Sequence, residues 1–320
     1  MKLVILFAIA LVLTTAAHAQ QNFPYRPLRL IVPWPPGQAT DLVGRVMAQK
    51  MSEILGQQVV VDNRPGAGGM IGTDVVAKAT PDGYTILAAS AGPVTINPLV
   101  QKAPYDSARD LAAVANDCLA PYLLVTNPQF PAANAREFVA LVKASPGKYS
   151  FASSGTGAAG HLTAEWFNSL AGLQVTHVPY KGSVPAITDV ISSRVDYTFE
   201  TVAATLSHVK AGRLKAYGIS LGRTSAIAPG IEPLATSANV PGFDAAAWIG
   251  VMVTAGTPVA IVNRLAAAAE TAMQSPEVRE RIAGIGVEVD FRRPDNFTRY
   301  LKDQQTRYID IIKKGNIKVE

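Results

Sequence analysis

The chain repeats one order of segments twice: strand, loop, helix, strand, loop, helix, strand. The first set runs from Arg29 to Gly92 and the second from Tyr149 to Thr201, without obvious sequence repetition. Strands that alternate with helices form mainly parallel sheets covered by helices, so the sequence predicts two α/β lobes. The predicted strands are Arg29–Pro33, Gln58–Asp62, Tyr84–Ala89, Tyr149–Ala152, Val175–Val178 and Val195–Phe199.

Small, polar and glycine-rich residues follow the carboxyl ends of these predicted strands. Pro35-Pro36-Gly37 follows the first strand and Ser153-Ser154-Gly155 follows the fourth. Ligands of parallel α/β sheets bind at this edge. We therefore expect the loops of the two lobes to face each other across a ligand-binding cleft.

Two further apolar segments lead between the predicted lobes. Asp117–Asn127 leads towards the second lobe, and Trp248–Val253 leads back as a lone strand. Two crossings of the chain predict a hinge. We therefore assign residues 20–121 and 248–320 to lobe 1 and residues 122–247 to lobe 2.

The first 19 residues are typical of a secretory signal peptide. Lys2 supplies a positive start, Leu3–Leu13 is apolar, and Ala17-His18-Ala19 has the small-x-small pattern of a cleavage site. The apolar run is about half the ~20 residues that a membrane helix needs. We expect cleavage after Ala19 and export to the periplasm, which disfavours an enzyme that depends on cytoplasmic ATP or NADH.

The composition excludes several classes of protein. Hydrophobic residues make up 48% of the chain and charged residues 17%, which is too apolar for a disordered protein. Cys118 is the single cysteine, so the chain has no intramolecular disulfide and no CxxC site. The formal net charge of +5 comes without a run of basic residues, which disfavours nucleic-acid binding and is compatible with an anionic small ligand.

The segment Gly155-Thr156-Gly157-Ala158-Ala159-Gly160 matches the dinucleotide-binding pattern GxGxxG. That pattern also requires an acidic residue at the end of the next strand, where this chain has Pro179-Tyr180-Lys181. We therefore expect no dinucleotide and no other cofactor. Small residues before a helix still predict free backbone N–H groups that suit a carboxylate or a phosphate.

Three histidines follow the predicted signal peptide. His161 lies beside the cleft loop, where it either contacts the ligand or packs within the lobe. His177 is expected to be structural, and His208 is expected to lie on a surface helix. No spacing among them indicates a zinc site.

A secreted hydrolase or isomerase is an alternative interpretation of the same cleft. Ser153 and Ser154 lack the GxSxG pattern of a nucleophile. His161 and Glu200 are the available base and orienting acid. Nothing in their spacing supports the assignment.

Six longer segments share motifs with a known family over nearly the whole mature chain. They are RPLRLIVPWPPGQATD at 26–41, VVVDNRPGAGGMIGTDVVAKATPDGYTIL at 59–87, INPLVQKAPYDSARDLAAV at 96–114, SSGTGAAGHLTAEWF at 153–167, HVPYKGSVPAITDVISSRVDYTF at 177–199 and TAGTPVAIVNRL at 254–265. They resemble the Bug receptors, the periplasmic solute-binding subunits of tripartite tricarboxylate transporters. The resemblance implies a type II periplasmic binding protein fold, a Venus flytrap of two α/β lobes joined by a hinge. It also implies a non-enzyme that binds di- or tricarboxylates, acidic amino acids or aromatic acids, with one carboxylate held by backbone amides and ordered waters.

Two positions depart from the family pattern. The first loop usually reads PPGGxTD, whereas this chain has Gln38 in place of the second glycine. The amide side chain of Gln38 either reaches the ligand or points to solvent. The sixth strand usually ends in Phe-Asp, whereas this chain has Phe199-Glu200. An ionised Glu200 facing the ligand would repel a second carboxylate or pair with an amino group; the alternative is an ion pair at the rim of the cleft.

The expected binding mode places a carboxylate on N–H groups at the start of the first helix, where Thr40 and Asp41 are predicted N-caps. Side chains of the second lobe are expected to contact the other end of the ligand, and Trp34 is available to stack on an aromatic ring. The expected ligand-binding residues are Trp34, Gly37, Gln38, Ala39, Thr40, Asp41, Ser90, Ala91, Gly92, Ser153, Ser154, Gly155, Thr156, His161, Tyr180, Lys181, Gly182, Glu200 and Thr201.

The sequence thus predicts a monomeric periplasmic receptor that delivers a small organic carboxylate to the membrane subunits of a transporter. The alternatives are the secreted hydrolase or isomerase and a ligand-binding subunit of a sensor kinase. The site needs neither a cofactor nor a metal.

Overall fold

The computed structural model describes residues 23–314, and the predicted signal peptide lies outside them. Most predicted strands are present within one or two residues of the expected ends. The strands are β1 (Leu28–Val32), β2 (Val59–Asn63), β3 (Thr85–Ser90), β4 (Leu111–Thr126), β5 (Ser150–Ser153), β6 (Thr176–Pro179), β7 (Tyr197–Thr201), β8 (Lys215–Ile219), β9 (Ala246–Thr254) and β10 (Glu288–Arg292).

The strands follow the order β2-β1-β3-β9-β4-β7-β5-β6, and β8 and β10 also pair with β4. Strand β1 pairs in parallel with β2 and β3, and β5 pairs in parallel with β6 and β7. These two groups are the parallel sheets that the alternation of strands and helices predicts. Their carboxyl ends carry the small-residue loops.

Strands β4 and β9 lie between the two parallel groups and run antiparallel to their neighbours. Strand β4 pairs with β9 along Leu111–Pro121 and with β7 along Tyr122–Thr126. The strand predicted at Trp248–Val253 is confirmed as β9, and it pairs with both β3 and β4. The assignment of residues 20–121 and 248–320 to one lobe and 122–247 to the other stays a prediction.

The helices cover the faces of the sheet. They are α1 (Ala39–Leu55), α2 (Met70–Ala77), α3 (Asn97–Val100), α4 (Ser107–Asp110), α5 (Ala135–Lys143), α6 (Ala159–Ala171), α7 (Ser183–Ile191), α8 (Val202–Lys210), α9 (Leu234–Ser237), α10 (Val259–Gln274), α11 (Pro276–Ile285) and α12 (Pro294–Lys314). Four of them lie between the strands of the two repeated sets, where the sequence predicts helices: Ala39–Leu55, Met70–Ala77, Ala159–Ala171 and Ser183–Ile191.

Helix α1 shows how the sequence sets the ends of an element at the cleft. Gly56 ends the helix in the left-handed conformation, as predicted, with φ of 70°. The N-cap is Gln38, whose side chain makes no capping hydrogen bond. The prediction that Thr40 and Asp41 are N-caps was therefore wrong, because both lie inside the first turn and are buried.

Large apolar side chains hold the two halves of the sheet to their helices. Trp248 of β9 is fully buried and packs edge-on against Phe297 of α12, with ring centroids 5.2 Å apart. In the second half, Phe167, Phe199 and Phe243 pack against one another.

Within residues 23–314, no helix has both the length and the apolar character needed to cross a membrane.

Candidate functional site

A cavity of about 490 Å³ opens where the carboxyl ends of β1, β3, β5 and β7 meet. This volume falls within the range of small-molecule sites. Residues of the central strands β4 and β9 also line it. The predicted ligand-binding residues that line the cavity are Trp34, Gly37, Gln38, Ala39, Thr40, Ser90, Ala91, Gly92, Ser154, Lys181, Gly182, Glu200 and Thr201.

Asp41 supports the loop of residues 34–38, which we call the anchor loop, from behind the cavity. Its Oδ2 accepts a hydrogen bond from the Gly37 N–H over 2.9 Å, and its Oδ1 accepts one from Asn63 Nδ2 over 2.8 Å. Burial opposes the ionisation of Asp41, but hydrogen bonds from Arg45, Asn63 and Gly37 outweigh it and lower the pKa of the carboxyl group. Because the Gly37 N–H donates to Asp41, it is not available to a ligand in the cavity.

Trp34 forms one wall of the cavity in a fixed position. Its indole Nε1 donates a hydrogen bond to Ser90 Oγ over 2.8 Å. A methyl group added at Gly92 would lie 3.3 Å from the indole ring. The indole therefore ties the loop after β1 to the loop after β3, and its use in stacking on an aromatic ligand stays a prediction.

The amino-terminal ends of four helices converge on the cavity. Residues at the start of α1, α6, α7 and α8 line it, and each of these helices has at least nine residues. The first N–H groups of a helix have no acceptor within the helix and carry a partial positive charge. The cavity can therefore bind an anionic group without a bidentate arginine. The lining residues at these ends are Ala39, Thr40, Ala159, Gly160, Ser183, Val184, Pro185, Ala203 and Ala204.

Glu200, the penultimate residue of β7, is an acidic group in a cavity that is otherwise surrounded by helix amino-termini. The residue lines the cavity although it is only 2% exposed. Burial raises its pKa to about 7, although Ser183, Ser154 and the backbone of Thr201 act in the opposite direction. Its Oε1 atom is buried and has no hydrogen-bond partner within residues 23–314. The alternative of an ion pair at the rim does not fit this burial.

The side chain of Gln38 reaches across the cleft. A methyl group added at Gly182 would lie 3.5 Å from Gln38 Nε2, so the anchor loop approaches the loop after β6 at this point. Farther along the cleft, Gln101 Nε2 donates to the Thr156 carbonyl over 3.4 Å. These contacts join the two halves on either side of the cavity.

Several predicted residues have contacts that place them outside the cavity. The Tyr180 hydroxyl donates to Asp189 Oδ2 over 2.7 Å, and the Ser153 hydroxyl is buried. The Gly157 N–H donates to His161 Nδ1 over 3.3 Å. The predicted residues that do not line the cavity are Asp41, Ser153, Gly155, Thr156, His161 and Tyr180.

Ser153 and His177 form a hydrogen-bonded serine–histidine pair, the kind of nucleophile and base that a hydrolase would need. Ser153 Oγ lies 2.7 Å from His177 Nε2, and the His177 ring stacks on His161 with centroids 3.9 Å apart. Burial and the neighbouring His161 lower the pKa of His177 to about 3. The pair does not line the cavity, so the geometry provides no path from a ligand there to the serine.

Sequence reasoning missed several residues that line the cavity. His208 was expected on a surface helix, but it lies at the cavity and its Nδ1 atom is buried without a hydrogen-bond partner within residues 23–314. The signal for α7 was present in the Gly182-Ser183-Val184-Pro185 start, whereas no local signal placed β4 and β9 at the cavity. The lining residues outside the predicted loops are Ala120, Tyr122, Ser183, Val184, Pro185, Ile187, Thr188, Ala203, Ala204, His208, Ala247 and Ile249.

A metal centre has no structural support in the part of the chain between residues 23 and 314. No group of three or more His, Cys, Asp or Glu side chains there is placed to hold a metal ion. The cavity is instead built from helix ends, hydroxyl groups and small apolar residues.

A family model and a curated relative both match this chain over most of its length. Residues 43–317 match the model of the tripartite tricarboxylate transporter family receptor. The chain is 35% identical to BugT of Bordetella pertussis over 307 residues, which is 95% of this chain and 94% of BugT.

Two solved structures share the fold and contain carboxylates. Rpa4515 of R. palustris with adipate has a TM-score of 0.87 and 29% identity, covering 92% of this chain and 98% of its own. MatC (Rpa3494) of Rhodopseudomonas palustris with bound malate has a TM-score of 0.83 and 29% identity, covering 91% and 100%. The expected two-lobe fold of a type II periplasmic binding protein is confirmed. The chain belongs to the receptor family of the tripartite tricarboxylate transporters, whose members bind substrates rather than convert them.

Proposed function

We propose that this protein is a periplasmic receptor that captures a small organic carboxylate in the cavity and delivers it to the membrane subunits of a tripartite transporter. The convergence of four helix amino-termini on one cavity of about 490 Å³ is the observation that carries the proposal. Charge-assisted hydrogen bonds from backbone N–H groups are strong enough to hold a carboxylate. The amides that follow Gly37 in α1 are the proposed anchor.

The structures of two relatives support a carboxylate ligand. Adipate and malate are the ligands named for Rpa4515 and MatC, and both molecules are dicarboxylates. The two relatives differ in ligand although they share the fold, so the side chains around the cavity decide which carboxylate binds. Gln38, Lys181, Glu200 and His208 are among the polar side chains available for that selection here.

The proposed mode of action relies on the predicted hinge between the two lobes. Closure of two lobes on a ligand is a common conformational change, and it would create the surface that the membrane subunits recognise. Export through the predicted signal peptide, with cleavage after Ala19, places the receptor in the compartment where it meets its ligand. Coupling to a sensor kinase would use the same binding step, and the gene neighbourhood distinguishes the two partners.

A panel of carboxylates in a thermal-shift assay tests the proposal. The mature protein, residues 20–320, should be stabilised by at least one aliphatic or aromatic acid, because a ligand at a hundred times its Kd stabilises the folded state by about 2.7 kcal/mol. The ligand should be recovered chemically intact after incubation. Conversion of the ligand would establish the hydrolase or isomerase instead, and shifts with neutral sugars alone would contradict a carboxylate receptor.

A further inference from the structure

Glu200 is a buried acid with one carboxyl oxygen that has no hydrogen-bond donor. The residue is 2% exposed and lines the cavity, and its Oε1 atom accepts no hydrogen bond from any group in residues 23–314. Buried carboxyl oxygens are rarely left without a donor, because desolvation of an unsatisfied polar atom is costly. The missing donor therefore points to a ligand.

The groups around Glu200 favour its ionised form over a role as a hydrogen-bond donor. The hydroxyls of Ser154 and Ser183 and the backbone of Thr201 stabilise the carboxylate. The Thr201 backbone N–H can only donate a hydrogen bond, so the carboxyl oxygen of Glu200 that it contacts must be an acceptor. Burial opposes the ionisation of Glu200, and a cation bound beside it in the cavity would offset this cost.

Among the described residues, no cationic side chain neutralises the Glu200 carboxylate. The groups that shift the pKa of Glu200 are hydroxyl and amide groups, and none is a lysine or an arginine. Lys181 lines the cavity but is exposed, and Tyr122 and His208 are the other titratable side chains at the cavity. Burial lowers the pKa of His208, and burial keeps the Tyr122 hydroxyl protonated. The positive helix ends suit a carboxylate, and Glu200 suits a cation.

We propose that Glu200 selects, among carboxylates, those that also carry a protonated amino group, whose ammonium hydrogen-bonds to the free Oε1 atom. The inference rests on the proposed receptor function and specifies its ligand class. The ligand's carboxylate lies on the helix amino-termini and its ammonium meets Glu200. A dicarboxylate would instead require Glu200 to take up a proton, because two buried carboxylates cannot both remain ionised in contact.

The sign of proton exchange on binding distinguishes these two modes without any substitution. A group with a pKa near 7 is about half protonated at pH 7, so an ammonium that drives it to the carboxylate releases up to about half a proton. A second ligand carboxylate would cause an uptake of similar size. Calorimetric titrations at pH 7 in PIPES and in MOPS, which differ in ionisation enthalpy and are neither phosphates nor primary amines, measure this number directly.

Matched ligands and variants locate the effect at Glu200. The probes are sets that differ only in one substituent: butyrate, 4-hydroxybutyrate and 4-aminobutyrate, and glutarate, 2-hydroxyglutarate and glutamate. Succinate is added to the first set as a dicarboxylate with the same number of carbons.

The Glu200→Gln variant keeps the shape of the side chain and removes its charge. It should weaken binding of the amino member at least about tenfold while weakening the unsubstituted member less. Glu280→Gln removes the same charge on the exposed face of α11 and should leave affinities unchanged.

The outcomes separate this inference from the receptor function. Preference for the amino member of a set, release of protons, and loss of both in the Glu200→Gln variant support the inference. Preference for succinate or for a hydroxy acid, proton uptake, or an unchanged ranking in the variant overturns it while leaving a carboxylate receptor. Absence of binding by every acid overturns the proposed function itself. The melting temperature of the variant without ligand shows that it is folded.

Discussion

Replacing Gly250 with alanine should lower the free energy of unfolding by about 3 kcal/mol or more, the largest effect of a single methyl group that the structure predicts. Gly250 lies in β9 between Ala89 of β3 and Asn116 of β4. A Cβ atom there would lie 2.3 Å from the Ala115 carbonyl oxygen and 3.2 Å from the Phe297 ring. Because the carbonyl belongs to the backbone, the strands must move apart.

Gly284→Ala is the matched control for this prediction. Gly284 lies in the last turn of α11, where an added Cβ would meet no atom within 4 Å. The substitution should be neutral or should stabilise the protein by roughly 0.5–1 kcal/mol, since alanine loses less backbone entropy on folding. Chemical denaturation of the two variants measures the difference. Equal stabilities would show that β9 and β4 are not packed as described.

Replacing Asp41 with alanine should weaken the binding of every carboxylate at least about tenfold, or about 1.4 kcal/mol. Asp41 does not line the cavity, so the effect acts through the anchor loop. The variant leaves the Gly37 N–H without its acceptor and removes one of the two acceptors of the Asn63 amide, which still donates to the Trp34 carbonyl. Loss of such contacts also lowers the stability of the fold by about 1–3 kcal/mol.

Asp41→Asn separates the shape of the loop from its charge. The asparagine side chain can still accept from the Gly37 N–H, so its affinity for carboxylates should lie between those of the wild type and the alanine variant. Calorimetry with a single bound carboxylate measures all three proteins. If the alanine variant binds as tightly as the wild type, the amides at the start of α1 are not the anchor.

The repeated strand–helix order could be predicted from the sequence because its signals are local. Gly56 and Gly172 end their helices in the left-handed conformation, and β-branched runs precede each glycine-rich loop. The central pair β4 and β9 could not be predicted in this way. Their pairing joins residues more than a hundred positions apart, such as Leu119 with Trp248, and leaves no short-range pattern.

The candidate site was predictable as a set of loops but not in the direction of each side chain. Ser153 and Ser154 are adjacent, yet Ser154 lines the cavity while Ser153 is buried against His177, because neighbouring side chains at the end of a strand point to opposite faces. His208 was assigned to a surface because its neighbour Lys210 is charged. The packing of α8 over the cavity decided its position instead.

A crystal structure of the mature protein with its strongest-binding carboxylate is the most direct test of the proposed binding mode. We expect a ligand in the cavity between the anchor loop and Glu200, with carboxylate oxygens about 2.7–2.9 Å from backbone N–H groups at the start of α1. A ligand carboxylate held only by Lys181, or a ligand bound outside this cavity, would contradict it.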